Sequence, residues 1–493
     1  MNLNTYVLYH ARMSPHRPAI AYTGGVATYG MVADAIHAAA RRIGELGLEA
    51  QMLVAIDVRN PFQHLVLILA LERCGITSVS LHTVYSAVVS GLVPDAVILD
   101  RFGTPLVDVR TIALDDAWFA RDRAAAPSEL RPVAADRHTR IVLSSGTTGV
   151  PKAVGLTPAV LERRMLDGVV WANGAGRTLS VAGVSTVGSF HLFHALISGG
   201  LACFAPNPEE TLHLVRLFGV GHLIALPGQL RDIVDHQLGG FEACPTLHRV
   251  TVGGSRISKE LITDARATLS SDVMLAYGTT ETGGIAYGLA GTFGDVEGAA
   301  GYLAPWARAQ AVDEDGAVLP AGRQGQLRLW TNKVGEFVAP EPRDRAILGG
   351  DGWFRPGDVG AVHGDGLVAV VGKSIEVINR DGAIVSPHLV EDALKRHDEV
   401  VDAGVIEMRT DAARVEIWAG VVARGPLDEH ALLSRCAGLL GDKAPDVLVR
   451  IDAVPRTDTG KIIRGELRQA VLRRYAERTA GAAVPDGRPG VAR

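Results

Sequence analysis

Ile141-Val142-Leu143-Ser144-Ser145-Gly146-Thr147-Thr148-Gly149-Val150-Pro151-Lys152 is the stretch on which the reading of this chain turns. An apolar strand runs into hydroxyl residues and glycines and ends on a lysine. The glycines let backbone N–H groups turn toward one point, the hydroxyls add donors and Lys152 adds charge. Such a set suits a polyphosphate. It is not the loop G-x-x-x-x-G-K-[ST], because Pro151 rather than glycine precedes Lys152.

Outward from this loop, short β-type runs alternate with helical periodicity. Met31, Ala35, Ala38, Ala39 and Ile43 recur at helical spacing after Thr28, which predicts a helix over 29–46 capped by that threonine. A run at 53–58, a helix around 62–74 and a run at 76–81 come next. Further runs at 96–99, 141–143, 180–182 and 222–226 predict α/β layering with parallel strands. Over 308–330, strand pairs split by the turn Asp313-Glu314-Asp315-Gly316 predict an antiparallel section. After Gly372 a charge-rich stretch carries its own helix at 387–396 and strands at 400–407 and 415–422. The expected fold is α/β: a large N-terminal domain over 1–372 of parallel-rich α/β layers plus an antiparallel section, and a small α+β C-terminal domain over 373–476. The composition of 477–493 predicts a disordered tail.

At 493 residues the chain exceeds the size at which single cores divide, roughly 250–300 residues, so two or more domains are expected. A hydrophobic fraction of 47% with 21% charged residues is that of a water-soluble globular protein. The formal net charge of −5 is too small, and of the wrong sign, for a nucleic-acid binder recognised by bulk charge. Residues 1–17 lack the basic-then-apolar layout of a signal segment. The run at 65–71 is far short of the ~20 residues that span a bilayer. No membrane insertion is expected, and the cytoplasm is the expected location. Cys74, Cys203, Cys244 and Cys436 are scattered without a C-x-x-C pair, which supports neither a disulfide framework nor a zinc site.

One more constellation reads as part of a nucleotide site, and a glycine pair ends a further strand run. Tyr277-Gly278-Thr279-Thr280-Glu281 comes after the apolar run 273–276, at a strand end, where ligand sites of α/β sheets gather. An aromatic face suits a base, a hydroxyl a phosphate and a carboxylate a hard cation. Gly253-Gly254-Ser255 ends another apolar run, 249–252.

The Ser144–Lys152 string resembles the signature loop of the adenylate-forming (AMP-forming) superfamily of acyl- and aryl-CoA synthetases, luciferases and peptide-synthetase adenylation domains. Other segments fall in the family's order along nearly the whole chain. They are Arg17-Pro18-Ala19-Ile20 with Thr28-Tyr29, the two segments above, Trp353-Phe354-Arg355-Pro356-Gly357-Asp358, Gly372-Lys373-Ser374-Ile375-Glu376 and Pro455-Arg456-Thr457-Asp458-Thr459-Gly460-Lys461. The resemblance implies that Ser144, Ser145, Gly146, Thr147, Thr148, Gly149 and Lys152 bind the phosphates of ATP. It implies that Tyr277 stacks on adenine beside Gly278 and Thr279, with Gly253, Gly254 and Ser255 as the opposite wall. Thr280 would touch the α-phosphate and Glu281 would hold Mg²⁺. Asp358 would accept the ribose hydroxyls, Lys373 would reach the ribose, and Lys461 would be the catalytic lysine of a C-terminal loop. Four positions depart from the family's pattern: Pro356 stands for a hydroxyl residue, Lys373 for Arg, Ile375 for Asp or Lys, and Leu389 for Glu. Lys373 lacks the planar fork of an arginine. Ile375, β-branched and stiff, sits at the hinge about which a mobile small domain is expected to rotate.

The implied reaction is ATP-dependent activation of a small carboxylic acid as an acyl-AMP, with pyrophosphate release. The acyl group then passes to the thiol of CoA, or of a phosphopantetheine arm on an acyl or peptidyl carrier protein. A carboxylate, with a reference pKa of ~4, is already ionised at neutral pH and needs no base. The obstacle is repulsion from the polyphosphate, so catalysis rests on positioning and electrostatics. Amino-acid-activating relatives place an Asp after the phosphate loop; residues 181–190 here contain no acidic residue, which disfavours an α-amino acid. Ser185 stands where many CoA ligases carry an aromatic or histidine gate. An aryl or compact acyl acid is expected, with Trp171, His191 and His194 nearby as packing residues. Two other readings stand beside this one: an enzyme that adenylates a carboxylate or other oxyanion and passes it to an amine, and a catalytically silent adenylate-binding regulator.

Overall fold

The computed structural model describes residues 2–81, 91–103, 105–106, 108–120, 128–131, 133–144, 152–171, 176–185, 189–294, 296–339, 348–380, 383–409, 415–456 and 462–481. They form two compact units. The first comprises Met1–Gln310, Arg328–Pro356 and Val362–Val368; the second comprises Ala311–Leu327, Gly357–Ala361 and Ala369–Arg493. The strands that bear on the site are, in chain order, β1 (Arg140–Ser144), β2 (Lys152–Leu156), β3 (Arg249–Gly253), β4 (Val273–Thr279), β5 (Gly283–Leu289), β6 (Glu336–Ala339), β7 (Asp358–Val362), β8 (Leu367–Lys373) and β9 (Val400–Arg409). The helices are α1 (Pro158–Trp171), α2 (Ser189–Ile197), α3 (Pro387–Lys395) and α4 (Arg464–Gly481).

One sheet of the first unit has the order β6, β2, β1, Thr77–Ser80, Leu53–Asp57, Ala96–Leu99, Arg110–Ala113. From β1 to Arg110–Ala113 its strands are parallel, whereas β2 runs antiparallel to both its neighbours, β1 and β6. The parallel part arises from strand–helix–strand crossovers. Between Leu53–Asp57 and Thr77–Ser80 runs the helix Pro61–Arg73, whose Asn60 cap accepts from Phe62 N and Gln63 N and whose first position is proline. Every residue from His64 to Arg73 is buried, as the unbroken apolar run requires.

The other sheet places β5, β4, β3, His222–Ala225, Arg177–Ser180, Leu201–Phe204 and Pro18–Tyr22 side by side. It is parallel from β4 to Pro18–Tyr22 and antiparallel where β5 joins. Its core packs Leu179, Leu223, Val250, Val252 and Leu275 against Leu212, Val215, Leu230, Ile233 and Leu261 from the covering helices. The strand expected at 180–182 runs instead over Arg177–Ser180, because Gly183, at φ +77°, already turns the chain. The helix predicted over 29–46 is Tyr29–Glu45, with Thr28 Oγ1 accepting from Met31 N at 3.3 Å. Its core face holds Ala35, Ala38, Ala39 and Ile43, while Met31 lies outside it, 53% exposed.

In the second unit β9 pairs antiparallel with Val415–Ala423, which pairs in parallel with Val447–Arg450. One face packs Val405, Ile417, Ala419 and Val421 under α3 and the helix Glu429–Leu440. The other packs Ile406, Trp418 and Val449 under Leu467 and Val471 of α4. The tail expected from 477 needs correcting, because α4 continues to Gly481. The Tyr475 ring lies 4.5 Å from that of Trp418, and Arg478 pairs with Glu429 at 2.8 Å, so the last turns are anchored although they are polar. Residues 482–493 lie outside the described residues. No helix among the described residues is long and apolar enough to cross a membrane.

Candidate nucleotide site

The Ser/Thr/Gly loop joins two paired strands. Ser144 of β1 faces Lys152 of β2 across an antiparallel ladder, and the next helix, α1, begins only at Pro158. The loop therefore leads into a strand rather than a helix N-terminus. Ser145, Gly146, Thr147, Thr148 and Gly149 lie outside the described residues, as does the side chain of Ser144. Lys152 is half-buried, with Nζ 5.4 Å from the centre of the Phe337 ring on β6.

β4 and β5 form a hairpin whose turn carries Thr280 and Glu281. Thr279 and Thr282 lock it: Thr279 N donates to Thr282 Oγ1 at 3.3 Å, Thr282 N to Thr279 Oγ1 at 3.2 Å, and Thr282 Oγ1 to Gly283 O at 3.0 Å. The expected ligand residue Thr279 thus spends its hydroxyl on the turn. A Cβ on Gly278 would stand 2.2 Å from Gly283 O, and Gly283 itself has φ +67°, so the hairpin closes only with glycine at both places. Glu281 is 8% exposed, and neither its carboxylate nor the Thr280 hydroxyl takes a hydrogen-bond or ion-pair partner among the described residues.

The parallel neighbour β3 brings Gly253 beside Ala276, one residue before half-buried Tyr277. A Cβ on Gly253 would lie 2.9 Å from Ala276 O, while Gly254 (φ +85°) and Ser255 are exposed where the strand ends. The glycine pair and the Tyr277–Glu281 string are therefore neighbours. They also reach the phosphate-loop hairpin: Glu281 O accepts from Gly335 N at 2.8 Å, and Gly335 directly precedes β6, which lies along β2.

Sequence reasoning missed the cluster under this turn. Arg164 of α1 is buried; its Nη2 donates to Glu281 O at 2.7 Å, and Nε and Nη2 to Lys333 O at 3.3 Å each. Burial lowers its pKa to about 10, opposed by the charge of Glu281. Lys333 is buried, its ammonium in contact with Asp167 and 4.4 Å from the centre of the Trp306 ring. Burial and, after it, the charge of Arg164 pull the Lys333 pKa down to about 7. A signal was available: Leu161, Arg164, Met165 and Gly168 share one helical face, and buried Leu161 and Met165 mark it as the inner one. His194 also closes on that face, its Nε2 3.1 Å from Arg164 O. With His191 and His222 it forms a chain of rings 6.0 and 6.2 Å apart, and burial lowers their pKa values to about 4 (His191) and about 3 (His194 and His222). These imidazoles are neutral packing groups.

The second unit carries the remaining expected residues. Asp358 at the start of β7 is buried and pairs with Lys373 at the end of β8, Nζ to Oδ1 at 2.7 Å. The two candidate ribose contacts therefore act as one unit. Ile375, next to them in a turn where Glu376 N and Val377 N donate to Lys373 O, is 69% exposed. Lys461 lies outside the described residues, but both stems of its loop are fixed. Arg456 bridges to Ile462 and grips Asp402 with Nη2 at 2.8 and 3.0 Å from the two carboxylate oxygens. Arg464 Nη1 reaches Glu391 Oε1 at 2.6 Å and Val405 O at 2.6 Å. Burial pushes the Glu391 carboxyl up, but Arg464 and His388 outweigh it and hold the group below the usual carboxylate range.

Glu281 fits a magnesium ligand. Mg²⁺ is typically held by one or two carboxylates together with phosphate oxygens. Glu281 offers an almost buried carboxylate with no hydrogen-bond or ion-pair partner among the described residues, and no group of three or more His, Cys, Asp or Glu able to cage a metal occurs among them.

A parallel-rich α/β unit bearing a Ser/Thr/Gly loop, a Gly-Gly strand end and an adjoining Tyr-Gly-Thr-Thr-Glu hairpin defines the adenylate-forming class of enzyme. The family model described as AMP-binding enzyme matches residues 8–336, and the chain belongs to that family. The chain is 27% identical to a fatty acid–[acyl-carrier-protein] ligase of Streptomyces coeruleorubidus, over 93% of this chain and 94% of that protein. Among solved structures it is similar to the amide bond synthetase McbA of Marinactinospora thermotolerans, with a TM-score of 0.82, 21% identity and coverage of 95% and 99% of the two chains. It is also similar to O-succinylbenzoate coenzyme A synthetase of Bacillus subtilis in complex with ATP and magnesium ion, with a TM-score of 0.80, 21% identity and coverage of 94% and 99%.

Proposed function

We propose that this AMP-forming acid–thiol ligase uses ATP and Mg²⁺ to convert a small carboxylic acid, aryl or compact acyl rather than α-amino, into an acyl-AMP. It then passes the acyl group to the thiol of CoA or of a phosphopantetheine carrier protein. A cytoplasmic location is part of this reading. The observation that carries it is the bond from Gly335 N to Glu281 O, which ties the Thr280–Glu281 turn to the strand beside the phosphate-loop hairpin.

The division of labour rests on chemistry. Ser144, Ser145, Gly146, Thr147, Thr148, Gly149 and Lys152 cradle the phosphates, and Tyr277 stacks on the base against Gly253, Gly254 and Ser255. The Thr280 hydroxyl donates to the α-phosphate, and the Asp358–Lys373 pair takes the ribose. Mg²⁺ held by Glu281 and phosphate oxygens would neutralise charge where the acid's carboxylate meets the polyphosphate. Lys461 adds a second positive group there, from a loop with anchored stems. The small domain is proposed to rotate about Lys373 before thiol transfer, with the exposed Ile375 at the hinge. The absence of an acidic side chain over 181–190 leaves a substrate ammonium without a partner, which supports excluding α-amino acids.

The test is hydroxamate trapping with ATP across aryl, fatty and amino acids, then AMP release with CoA, carrier protein or an amine as acceptor. Trapping of an aryl or short acyl acid and thiol-dependent AMP release are expected. Turnover confined to amino acids, or AMP release that only an amine stimulates, would overturn the reading.

A further inference from the structure

We infer that Arg164 is the positioning residue of the metal turn: its guanidinium clamps the Glu281 and Lys333 carbonyls and thereby fixes where the Glu281 carboxylate can meet a divalent cation. The inference rests on the reading of Glu281 as the metal ligand.

Three observations carry it. First, Arg164 is buried, yet its hydrogen bonds go to two main-chain carbonyls rather than to a carboxylate. Burying a guanidinium is expensive, and a purely structural arginine would recover most by forking onto an acid. Nη1 is buried and has no hydrogen-bond partner among the described residues. Second, the carbonyls it joins are those of the two segments that must hold still. Glu281 O receives Arg164 Nη2 at 2.7 Å and Gly335 N at 2.8 Å, so both its lone pairs are engaged and the peptide plane leaving Glu281 is fixed. Lys333 O ties the same guanidinium to the segment entering β6. Third, the turn is shaped to receive it. A Cβ on Gly283 would stand 3.4 Å from Arg164 Nε, so the side chain lies flat against the glycine of the turn.

The arrangement explains how a carboxylate can be held in place while accepting no hydrogen bond from the described residues. Its backbone is held instead by a group on helix α1. Metal ligands are commonly oriented by such outer partners, whose loss weakens metal affinity about 10–100-fold.

The test uses the full chain with a non-hydrolysable ATP analogue and Mn²⁺, whose binding is read by electron paramagnetic resonance. Arg164→Lys keeps the charge but cannot span both carbonyls, and Arg164→Gln loses the charge as well. Each should raise the Mn²⁺ dissociation constant at least about tenfold, with metal-free analogue affinity changed less than about twofold. The magnesium concentration for half-maximal hydroxamate formation should rise in parallel. Glu281→Gln should weaken Mn²⁺ at least as much, and adding Arg164→Lys to it should weaken it little further, because the two act through one contact. As a control, Asp167→Asn with Lys333→Met removes the adjoining ion pair but leaves the Lys333 carbonyl, and should lower stability without changing Mn²⁺ affinity. A folded Arg164→Lys protein with wild-type Mn²⁺ affinity overturns the inference. If Glu281→Gln also binds Mn²⁺ normally, the assignment of the metal ligand itself has failed.

Discussion

The turn over 279–283 and the loop stems around 456 and 464 are both platforms for a charged group, and they are built in opposite ways. At the turn the supports are hydroxyls, a backbone amide and a guanidinium acting on carbonyls, and the Glu281 carboxylate is left unengaged among the described residues. At the stems the supports are ion pairs, Arg456 with Asp402 and Arg464 with Glu391, and Lys461 lies outside the described residues. The difference teaches that, among the described residues, ion pairing is kept off the turn itself, where the Arg164 guanidinium acts on main-chain carbonyls and the carboxylate proposed as a metal ligand stays available. Ion pairs are used where the scaffold only has to pin a loop.

The sharpest break is at Glu391, which is buried and receives Arg464, His388 and Val405 N. Glu391→Ala strands the Arg464 guanidinium and should cost about 3–5 kcal/mol in chemical unfolding of the second unit. A loss below about 1 kcal/mol would make the stem a surface feature. Next comes Lys461→Ala, expected to slow acyl-AMP formation about 10²–10³-fold, the effect of losing one positioned charge. Its melting temperature should stay at the wild-type value; near-normal pyrophosphate release would remove Lys461 from catalysis.

Acid should loosen the first unit. His191, His194 and His222 have folded pKa values of about 4, 3 and 3, below their unfolded value of 6.5. Below pH 6.5 the unfolded chain therefore binds protons that the folded chain refuses, and stability falls with pH at about 1.4 kcal/mol per group per pH unit. Glu72 works the other way. Its folded pKa of about 7, raised by burial, makes it stabilise folding below 4.5 and lose that advantage as pH rises to 7. Near pH 5.5 the three imidazoles outweigh the one carboxyl, so unfolding midpoints in urea should fall from pH 7 to pH 5. A flat profile contradicts the burial of that cluster.

Thr282→Val removes the hydroxyl that closes the proposed metal turn and should cost about 1–2 kcal/mol, together with a raised magnesium requirement in the hydroxamate assay. An unchanged requirement would mean that the turn holds its shape without the Thr279–Thr282 lock. The smallest effect is expected for Arg456→Ala. That pair is partly exposed, so its stability cost should be at most about 1 kcal/mol, whereas its effect on adenylation, through the lysine loop, should exceed its effect on melting.

The features legible in the sequence are those that periodicity and caps control. Thr28 starts its helix as its chemistry demands, and the strands Val400–Arg409 and Val415–Ala423 form where expected. The α/β fold is legible for the same reason, whereas the pairing of the Gly-Gly and Tyr277–Glu281 strand ends is implied by the family resemblance. Arg164 is not, because its partners are carbonyls, which carry no side-chain signature and lie 117 and 169 residues away in sequence. The family resemblance marks Lys373 only as an expected ribose contact, and its pairing with Asp358 arises only when β7 and β8 lie side by side. Residues 477–481 read as tail because they lack apolar side chains, yet α4 is held there by Arg478 on Glu429.

The central claim is that the stretches at 144–152, 253–255 and 277–281 surround one nucleotide. A crystal structure with a non-hydrolysable ATP analogue and Mg²⁺ tests it directly. The prediction is a metal on the Glu281 carboxylate, adenine between Tyr277 and the Gly253–Gly254 strand end, and the β- and γ-phosphates in the loop between β1 and β2. A triphosphate bound elsewhere, with Glu281 bare, would contradict it.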